Sequence, residues 1–336
     1  MQIATYPIEL QLRNTFRIAH GASDTRQTVL LQIGDGWGEG APVSYHGESV
    51  DQVLAFIARH RPILEQIDDP AAIRATLAQL HPGSRAGRAA VDLALHDALG
   101  KRLGVGLRAL LGLAELPIPP TSFTLAIAAP DVLREQALAA AHYPILKVKL
   151  GGPADLDSVA VIRAAAPDSR LLVDANAGWS LRQAERMIPA LIEHKVELIE
   201  QPLAVDDHAG YAALHARGYA VPIFADEPIK SAADVARWAP LVDGVNIKLM
   251  KTGGIVGALE AIATARAHGL RVMVGCMIET GLGVAAAAAI AGLADYADLD
   301  GPLLISNDPT SGLRYEGARI MPPTGPGLGI TFEGAG

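Results

Sequence analysis

Eight stretches suited to buried strands begin near Thr121, Ile145, Arg170, Leu198, Pro222, Gly244, Arg271 and Tyr296, spaced 22 to 28 residues apart. Between them lie helical patterns rich in alanine and leucine, such as Asp131 to His142 and Ile255 to His268. Each interval is the length of one strand and its returning helix. Eight such units in a row predict an α/β chain whose parallel strands close into a barrel, rather than an open doubly wound sheet. The 336 residues leave room for a smaller companion domain.

That companion is expected before the first barrel strand. Residues 3–12 and 27–33 carry β-rich runs. Three helical patterns follow. Ser49 to Glu65 has Ser49 as its N-cap, Pro70 to Leu80 opens on a proline where a first turn tolerates one, and Arg85 to Leu103 stops before Gly104. Strands followed by segregated helices predict a small α+β domain. The tail from Gly312 is rich in glycine and proline and is expected to leave the barrel and return to this first domain.

Buried parallel strands should be nearly all apolar. Six of these end in polar or charged groups: Lys147 and Lys149; Asp174 and Asn176; Glu200; Asp226 and Glu227; Asn246 and Lys248; Asp298 and Asp300. The C-terminal strand ends form the face on which barrel enzymes place their chemistry. Side chains alternate with a period of two, so Lys147 shares a face with Lys149, Asp174 with Asn176, Asn246 with Lys248, and Asp298 with Asp300. If those faces turn inward, the groups meet in one pocket.

A lone acid or lysine at a strand end is most often salt-bridged or solvated. Asp174, Glu200 and Asp226 stand on three consecutive strands, however, and would repel one another if left bare. A hard divalent cation such as Mg2+ resolves that repulsion with oxygen ligands and leaves positions for water or substrate oxygens. Lys149 and Lys248 flank the triad from strands nearly opposite in the ring. A substrate carboxylate held at the metal would present its α-carbon to one lysine on each side. Positive charge from Lys147 and the metal would lower the pKa of Lys149 and let a neutral amine act as base, and the metal would stabilise the enediolate.

The ordered runs LKVKLG (Lys147, Lys149), VDAN (Asp174, Asn176), IEQPL (Glu200), ADEP (Asp226), NIKLMKTGG (Lys248) and GCMIET (Glu279) resemble the muconate-lactonizing subgroup of the enolase superfamily. That superfamily is already known for combining a lysine base with magnesium. The likeness covers nearly the whole chain. It implies a (β/α)7β-type TIM barrel over residues 116–311 and an α+β capping domain built from residues 1–115 and 312–336. It assigns Asp174, Glu200 and Asp226 to Mg2+, Lys149 and Lys248 to the two faces of the substrate, and Lys147 to an electrostatic role at the substrate carboxylate. Asn176, Glu279 and, on the first barrel strand, Thr124 fall at substrate-binding positions. Lys251 rivals Lys248, and Glu227 rivals Asp226. The inward parity shared by Asn246 and Lys248, with Lys251 in a loop, favours Lys248; the family pattern favours Asp226.

Asp298 and Asp300 narrow the reaction. The pair resembles the strand-eight motif of dipeptide epimerases, in which two acids hold the ammonium group of the dipeptide's N-terminal residue. Two carboxylates on one face suit a cationic amine, although Asp300-Gly301-Pro302 is also good turn chemistry. The expected reaction is a Mg-dependent 1,1-proton transfer that inverts the α-carbon of a dipeptide's C-terminal residue. The alternatives within the subgroup are cycloisomerisation, o-succinylbenzoate synthesis and N-acylamino acid racemisation. A non-catalytic binding protein on the same scaffold is more remote. The accepted side chain is expected to be set by a capping loop around residues 14–27. Relatives acting on Ala-Glu tend to carry an arginine there, and the best-matching position is Ser23, with Arg17 and Arg26 nearby. Hydrophobic and cationic partners are therefore as open as Ala-Glu.

The net charge of −8 argues against broad attraction to nucleic acid. Val284 to Leu293 is about half the length a membrane span needs and reads as a buried helix. The start MQIATYPIELQL has neither the basic residues nor the apolar core of a signal peptide. Cys276 is the single cysteine, which leaves no disulfide framework and no cysteine-based zinc site, and it reads as a small buried residue. The glycines after Thr280 could cradle a phosphate at a helix start, but that would leave the acids and lysines unexplained. A cytoplasmic homo-oligomer acting on a small molecule, with neither nucleic acid nor membrane as partner, is expected.

Overall fold

The computed structural model describes residues 1–334. A long hairpin opens the chain. β1 (Ile3–Ile18) turns at Ala19 and His20 into β2 (Gly21–Ile33), and β3 (Gly36–Gly40) completes an antiparallel sheet. The two runs read from sequence are thus the inner parts of one hairpin. Residues 14–27, expected as a loop, form its outer arm.

Three helices cover this sheet: α1 (Val50–Glu65), α2 (Ile73–Gln79) and α3 (Arg85–Leu103). α1 starts from a reciprocal capping box between Ser49 and Gln52. α2 begins later than the sequence suggested. The Asp69 side chain accepts the Ala71 N–H at 2.7 Å and its carbonyl accepts that of Ala72 at 3.1 Å, which holds Pro70 in a turn. α3 runs between the Ser84 cap and a left-handed Gly104, as predicted. β3 lies unusually close to it. A Cβ added at Gly36 or Gly38 would sit 2.1 or 1.9 Å from a carbonyl oxygen of α3, so only glycine permits the approach. Alternation along GWGEG then sends Trp37 and Glu39 to the opposite face.

After the short α4 (Leu107–Leu110) come eight parallel strands paired in chain order. They are β4 (Phe123–Leu125), β5 (Ile145–Lys149), β6 (Arg170–Asp174), β7 (Val196–Glu200), β8 (Ile223–Ala225), β9 (Gly244–Lys248), β10 (Arg271–Gly275) and β11 (Tyr296–Asp298). Each begins within two residues of its predicted start. The ring closes where Thr121 bridges Ala297 and the Ser122 N–H donates to the Ala297 carbonyl at 3.0 Å. The returning helices are α5 (Pro130–Ala140), α6 (Asp155–Ala165), α7 (Leu181–Glu193), α8 (His208–Arg217), α9 (Ala232–Trp238), α10 (Leu249–Thr252) with α11 (Ile255–Ala267), and α12 (Gly281–Ile290). Only the four-residue α13 (Gly301–Leu304) follows β11, which gives the (β/α)7β form.

Ile145, Leu172, Leu198, Phe224, Met273 and Tyr296 form a separate buried apolar cluster that plugs the barrel. Two residues further along the same strands stand Lys147, Asp174, Glu200, Asp226, Gly275 and Asp298, which alternation turns inward as the next layer. The plug closes the site from below and keeps its local dielectric low.

The end of the chain returns to the first sheet. β12 (Thr310–Ser311) pairs with β15 (Thr331–Phe332) across the hairpin of β13 (Arg314–Glu316) and β14 (Arg319–Met321). Phe332 meets Tyr6 and Trp37 edge-on, with ring centroids 5.4 and 5.2 Å apart. Asp97 of α3 accepts the backbone N–H groups of both Leu328 and Trp37, at 2.7 and 2.8 Å. Every residue of α12 is buried, and the helix packs against β3. Among the described residues no helix is long and apolar enough to cross a membrane.

Candidate active site

Asp174 and Glu200 end their strands, and Asp226 follows β8 directly. One carboxylate oxygen from each lies within 4.8 Å of the others, and all three residues are fully buried. Lysines thread between them. The Lys147 ammonium is 2.7 Å from Glu200, 3.3 Å from Asp174 and 2.7 Å from Asp298. Lys149 donates to Asp174 at 2.6 Å and Lys248 to Asp226 at 2.9 Å. β5 and β9 lie opposite one another in the eight-stranded ring. Lys149 and Lys248 line one cavity together with Thr124, Asp298 and Asp300.

The crowding of acids shows in their proton affinities. Burial, then Asp174, pushes Glu200 up to about 7. Burial, then Asp226, pushes Glu227 up to about 8. Burial works the same way on Asp226, but Lys248 and Lys251 beside it hold that carboxyl well below the usual range. Burial on its own lowers the pKa of Lys147 and Lys248. The acids around each, Asp298, Glu200 and Asp174 for the first and Asp226 foremost for the second, together more than offset it, and both lysines stay well above the ordinary range. Left to themselves, the acids are thus in excess of the positive charge around them. An all-oxygen, fully buried donor set with surplus negative charge fits Mg2+, and Asp174, Glu200 and Asp226 are the residues that would hold it. Two further buried oxygens nearby, Asn176 Oδ1 and Asn246 Oδ1, have no hydrogen-bond partner among the described residues.

Three positions reach this region by routes that strand alternation does not describe. Asn176 lies beyond β6 in left-handed backbone with φ 43°, followed by Ala177 at 60°, while Gln201 after β7 has φ 40°. Such conformations store strain, and they sit on the residues just past two of the three acids. The turn aims the Asn176 N–H at Asp174 Oδ1, 2.8 Å away, and its Nδ2 lies 3.3 Å from Asp174 and Glu227. Asp300 stands past β11 at the start of α13, where its carboxylate accepts the Thr124 N–H at 2.7 Å. The turn and site readings of Asp300-Gly301-Pro302 therefore describe the same geometry. Lys251, expected in a loop, belongs to α10. Its buried ammonium donates to Asp226 Oδ1, to the Asp226 carbonyl and to the Asn246 carbonyl, so it braces Asp226 while Lys248 lines the cavity.

The two strand-eight acids differ. Burial raises both, but Lys147 beside Asp298 brings that carboxyl below its usual range, and the Ser122 hydroxyl donates to it at 2.6 Å. Burial, then Asp298, pushes Asp300 up to about 7. On the wall formed by the first domain, Phe16, Ile18, Arg26 and Tyr45 line the cavity, whereas Arg17 is exposed. Arg26 donates to the Thr25 carbonyl at 3.0 Å. The Ser23 hydroxyl is turned to the Thr25 carbonyl, 2.6 Å away. Cys276 is buried just past β10, its thiol pushed up by burial.

Sequence reasoning missed Glu39. This fully buried carboxylate on β3 accepts the Thr280 N–H at 3.1 Å, the Thr280 hydroxyl at 2.6 Å and the Gly283 N–H at 2.9 Å. It fills the helix start where a phosphate was weighed. The one legible signal was an acid in a strand otherwise alternating with glycine. Its neighbour Glu279 is 1% exposed, accepts the Met277 N–H at 2.7 Å, and is pushed up to about 8 by burial and then by Glu39. A carboxyl whose folded pKa is raised keeps its proton in the native state while the unfolded chain loses it. Stability therefore falls as pH climbs from the ordinary glutamate range toward 8. Glu279→Gln should flatten that decline in thermal unfolding with Mg2+ present. A variant profile running parallel to the wild type would show that Glu279 ionises normally.

Residues 2–112 match the mandelate racemase / muconate lactonizing enzyme N-terminal domain family, and residues 132–335 match the enolase C-terminal domain-like family. The chain belongs to the muconate-lactonizing subgroup of the enolase superfamily. Among members of the superfamily, the chain is 39% identical over 328 residues to the L-Ala-D/L-amino acid epimerase of Pedosphaera parvula, covering 94% of each chain. The structure of a dipeptide epimerase from Enterococcus faecalis V583, complexed with Mg and the dipeptide L-Leu-L-Tyr, matches with a TM-score of 0.91 at 30% identity, over 98% of this chain and 99% of that one. The N-succinyl Arg/Lys racemase from Bacillus cereus ATCC 14579 matches with a TM-score of 0.93 at 27% identity, over 98% of this chain and 94% of that one. Overall shape thus does not separate reactions within the superfamily, and the side chains around the reacting centre have to.

Proposed function

We propose that this protein is a Mg-dependent dipeptide epimerase that inverts the α-carbon of the C-terminal residue by a two-lysine proton transfer. The observation that carries this reading is the placement of Asp298 and Asp300 in the cavity that Lys149 and Lys248 share. A diacid one side of an opposed lysine pair suits an amine attached to the acid being epimerised.

The substrate's carboxylate lies toward Asp174, Glu200 and Asp226, and a bound Mg2+ supplies positive charge against the negative charge that develops there. Lys147 adds fixed positive charge beneath. The α-carbon then stands between the two cavity lysines. One, as a neutral amine, takes the α-proton; the other, as an ammonium, returns a proton to the opposite face. The tight pairing of Lys248 with Asp226 favours its ammonium form. The substrate's own ammonium meets Asp298 and Asp300, and a cation beside them favours their ionised form.

The test is a library of dipeptides incubated with Mg2+ in deuterated water and read by mass spectrometry for exchange of the α-proton. Each active dipeptide is compared with its N-acetyl form. Acetylation removes the ammonium and leaves the diacid unpaired, so kcat/KM should fall on the order of 10²-fold or more. Equal turnover of both forms would shift the reading to N-acylamino acid racemisation. Exchange of none would remove the enzyme reading.

We assign residues 1–115 and 312–336 to the cap, residues 335 and 336 lying outside the described ones, and 116–311 to the barrel, a division supported by the packing of Phe332 and Leu328 on the first domain. We propose a cytoplasmic location, a reading supported by the single, unpaired cysteine.

A further inference from the structure

Within the hairpin arm the β1–β2 ladder slips. Gln11 faces Thr25 and Phe16 faces Ser23, so Leu12, Arg13, Asn14 and Thr15 stand opposite the single residue Asp24. The looped-out segment is tied down over the barrel. Leu12 forms an antiparallel bridge with Ile305, and the Ser306 N–H donates to the Gln11 carbonyl at 2.9 Å.

Beneath this segment lies a second cavity of about 300 Å³, lined by Leu12, Phe16, Ala139, Tyr143 and Leu304 among others. Tyr143 stacks on Phe123 with centroids 4.6 Å apart and planes 15° apart, which makes one wall flat and aromatic. Phe16, Thr124 and Leu304 line both this cavity and the one holding the lysines, so the two spaces adjoin. They adjoin beside Asp300, whose carboxylate is bonded to the Thr124 N–H and whose charge reaches the Tyr143 phenol.

We infer that this second cavity is the subsite for the side chain of the dipeptide's N-terminal residue, and that it selects a large apolar side chain there. The inference rests on the dipeptide epimerase reading. An ammonium held at Asp298 and Asp300 brings the carbon that bears it to the junction of the two spaces, and the side chain on that carbon leaves toward the roof formed by Leu12. A methyl group would leave most of a space equal to about ten liquid-water volumes, at about 30 Å³ each, against leucine and aromatic walls. A leucine- or phenylalanine-sized group displaces that water and covers those walls. Arg13 and His142 stand at the exposed rim, where a second cationic group gains nothing.

The test fixes the C-terminal residue at the one the library favours and compares Leu-X with Ala-X by kcat/KM. Each methylene in a fitted apolar pocket changes this ratio by about tenfold or more, so Leu-X should lead by at least that factor. Ala139→Phe fills the cavity from the exposed side of α5 and should reduce the Leu-X to Ala-X ratio by about tenfold. Ala139→Leu should move it the same way, which guards against a local disturbance by the larger ring. A wild type that prefers Ala-X, or a ratio unmoved by both variants, overturns the subsite while leaving the epimerase intact. Absence of α-deuterium exchange in every dipeptide overturns the epimerase reading, and the subsite with it.

Discussion

Lys149→Ala and Lys248→Ala should each lower kcat/KM for epimerisation by about 10³- to 10⁴-fold, the scale at which a positioned proton carrier works. Inversion needs a proton removed on one face and another delivered on the opposite face, and these two amines line the cavity from opposite strands. A general loss of structure is not expected. Asp174 retains Lys147 at 3.3 Å when Lys149 is removed, and Asp226 retains Lys251 at 2.5 Å when Lys248 is removed. The decisive readout is stereochemical. Each variant should still exchange the α-proton with deuterium, but from one stereoisomer only, and the two variants should act on opposite ones. Full epimerase activity in both would end the two-lysine mechanism.

Chelation should stop exchange altogether, and Glu200→Gln should lose it even at high Mg2+. The developing negative charge at the substrate carboxylate then lacks several kcal/mol of stabilisation. Yet the protein should stay folded without the ion. Four lysines already pair with the acids in its place: Lys147 with Glu200, Lys149 with Asp174, and Lys248 and Lys251 with Asp226. The far-ultraviolet circular dichroism should be unchanged by chelator. Thermal stability should rise with Mg2+ by about 2.7 kcal/mol at a concentration a hundred times Kd. Undiminished exchange in excess chelator would remove the metal from the reaction, and unfolding by chelator would show that the lysines do not hold the acids apart.

The barrel was legible because its strands repeat at the length of a strand–helix unit, and because charge at the end of an apolar strand is conspicuous. The same alternation correctly turned Lys147, Asp174, Glu200 and Asp298 into one layer. It stopped working one or two residues past a strand. Asn176 and Asp300 arrive through turns; asparagine tolerates left-handed backbone, but nothing in the sequence marks the alanine that follows it for the same conformation. Lys251 was misplaced because a four-residue helix has no periodicity to read. The hairpin arm reads as a loop because its exposed strands carry polar residues with no apolar stripe, and its three-residue slip depends on pairing partners distant in the chain. Glu39 could not be linked to Thr280 and Gly283 from sequence, since the bond spans two domains.

The fully buried helix Gly281–Ile290 carries alanine at five consecutive positions and lies against the strand that holds Glu39. Methyl groups leave no rotamer to adjust, so a larger residue on the side facing that strand strains the joint between cap and barrel instead of repacking. The hairpin arm, by contrast, tolerates extra residues at small entropic cost. Divergence toward new substrates should therefore accumulate in the arm as changes of length and side chain, while the joint between the two halves stays as it is.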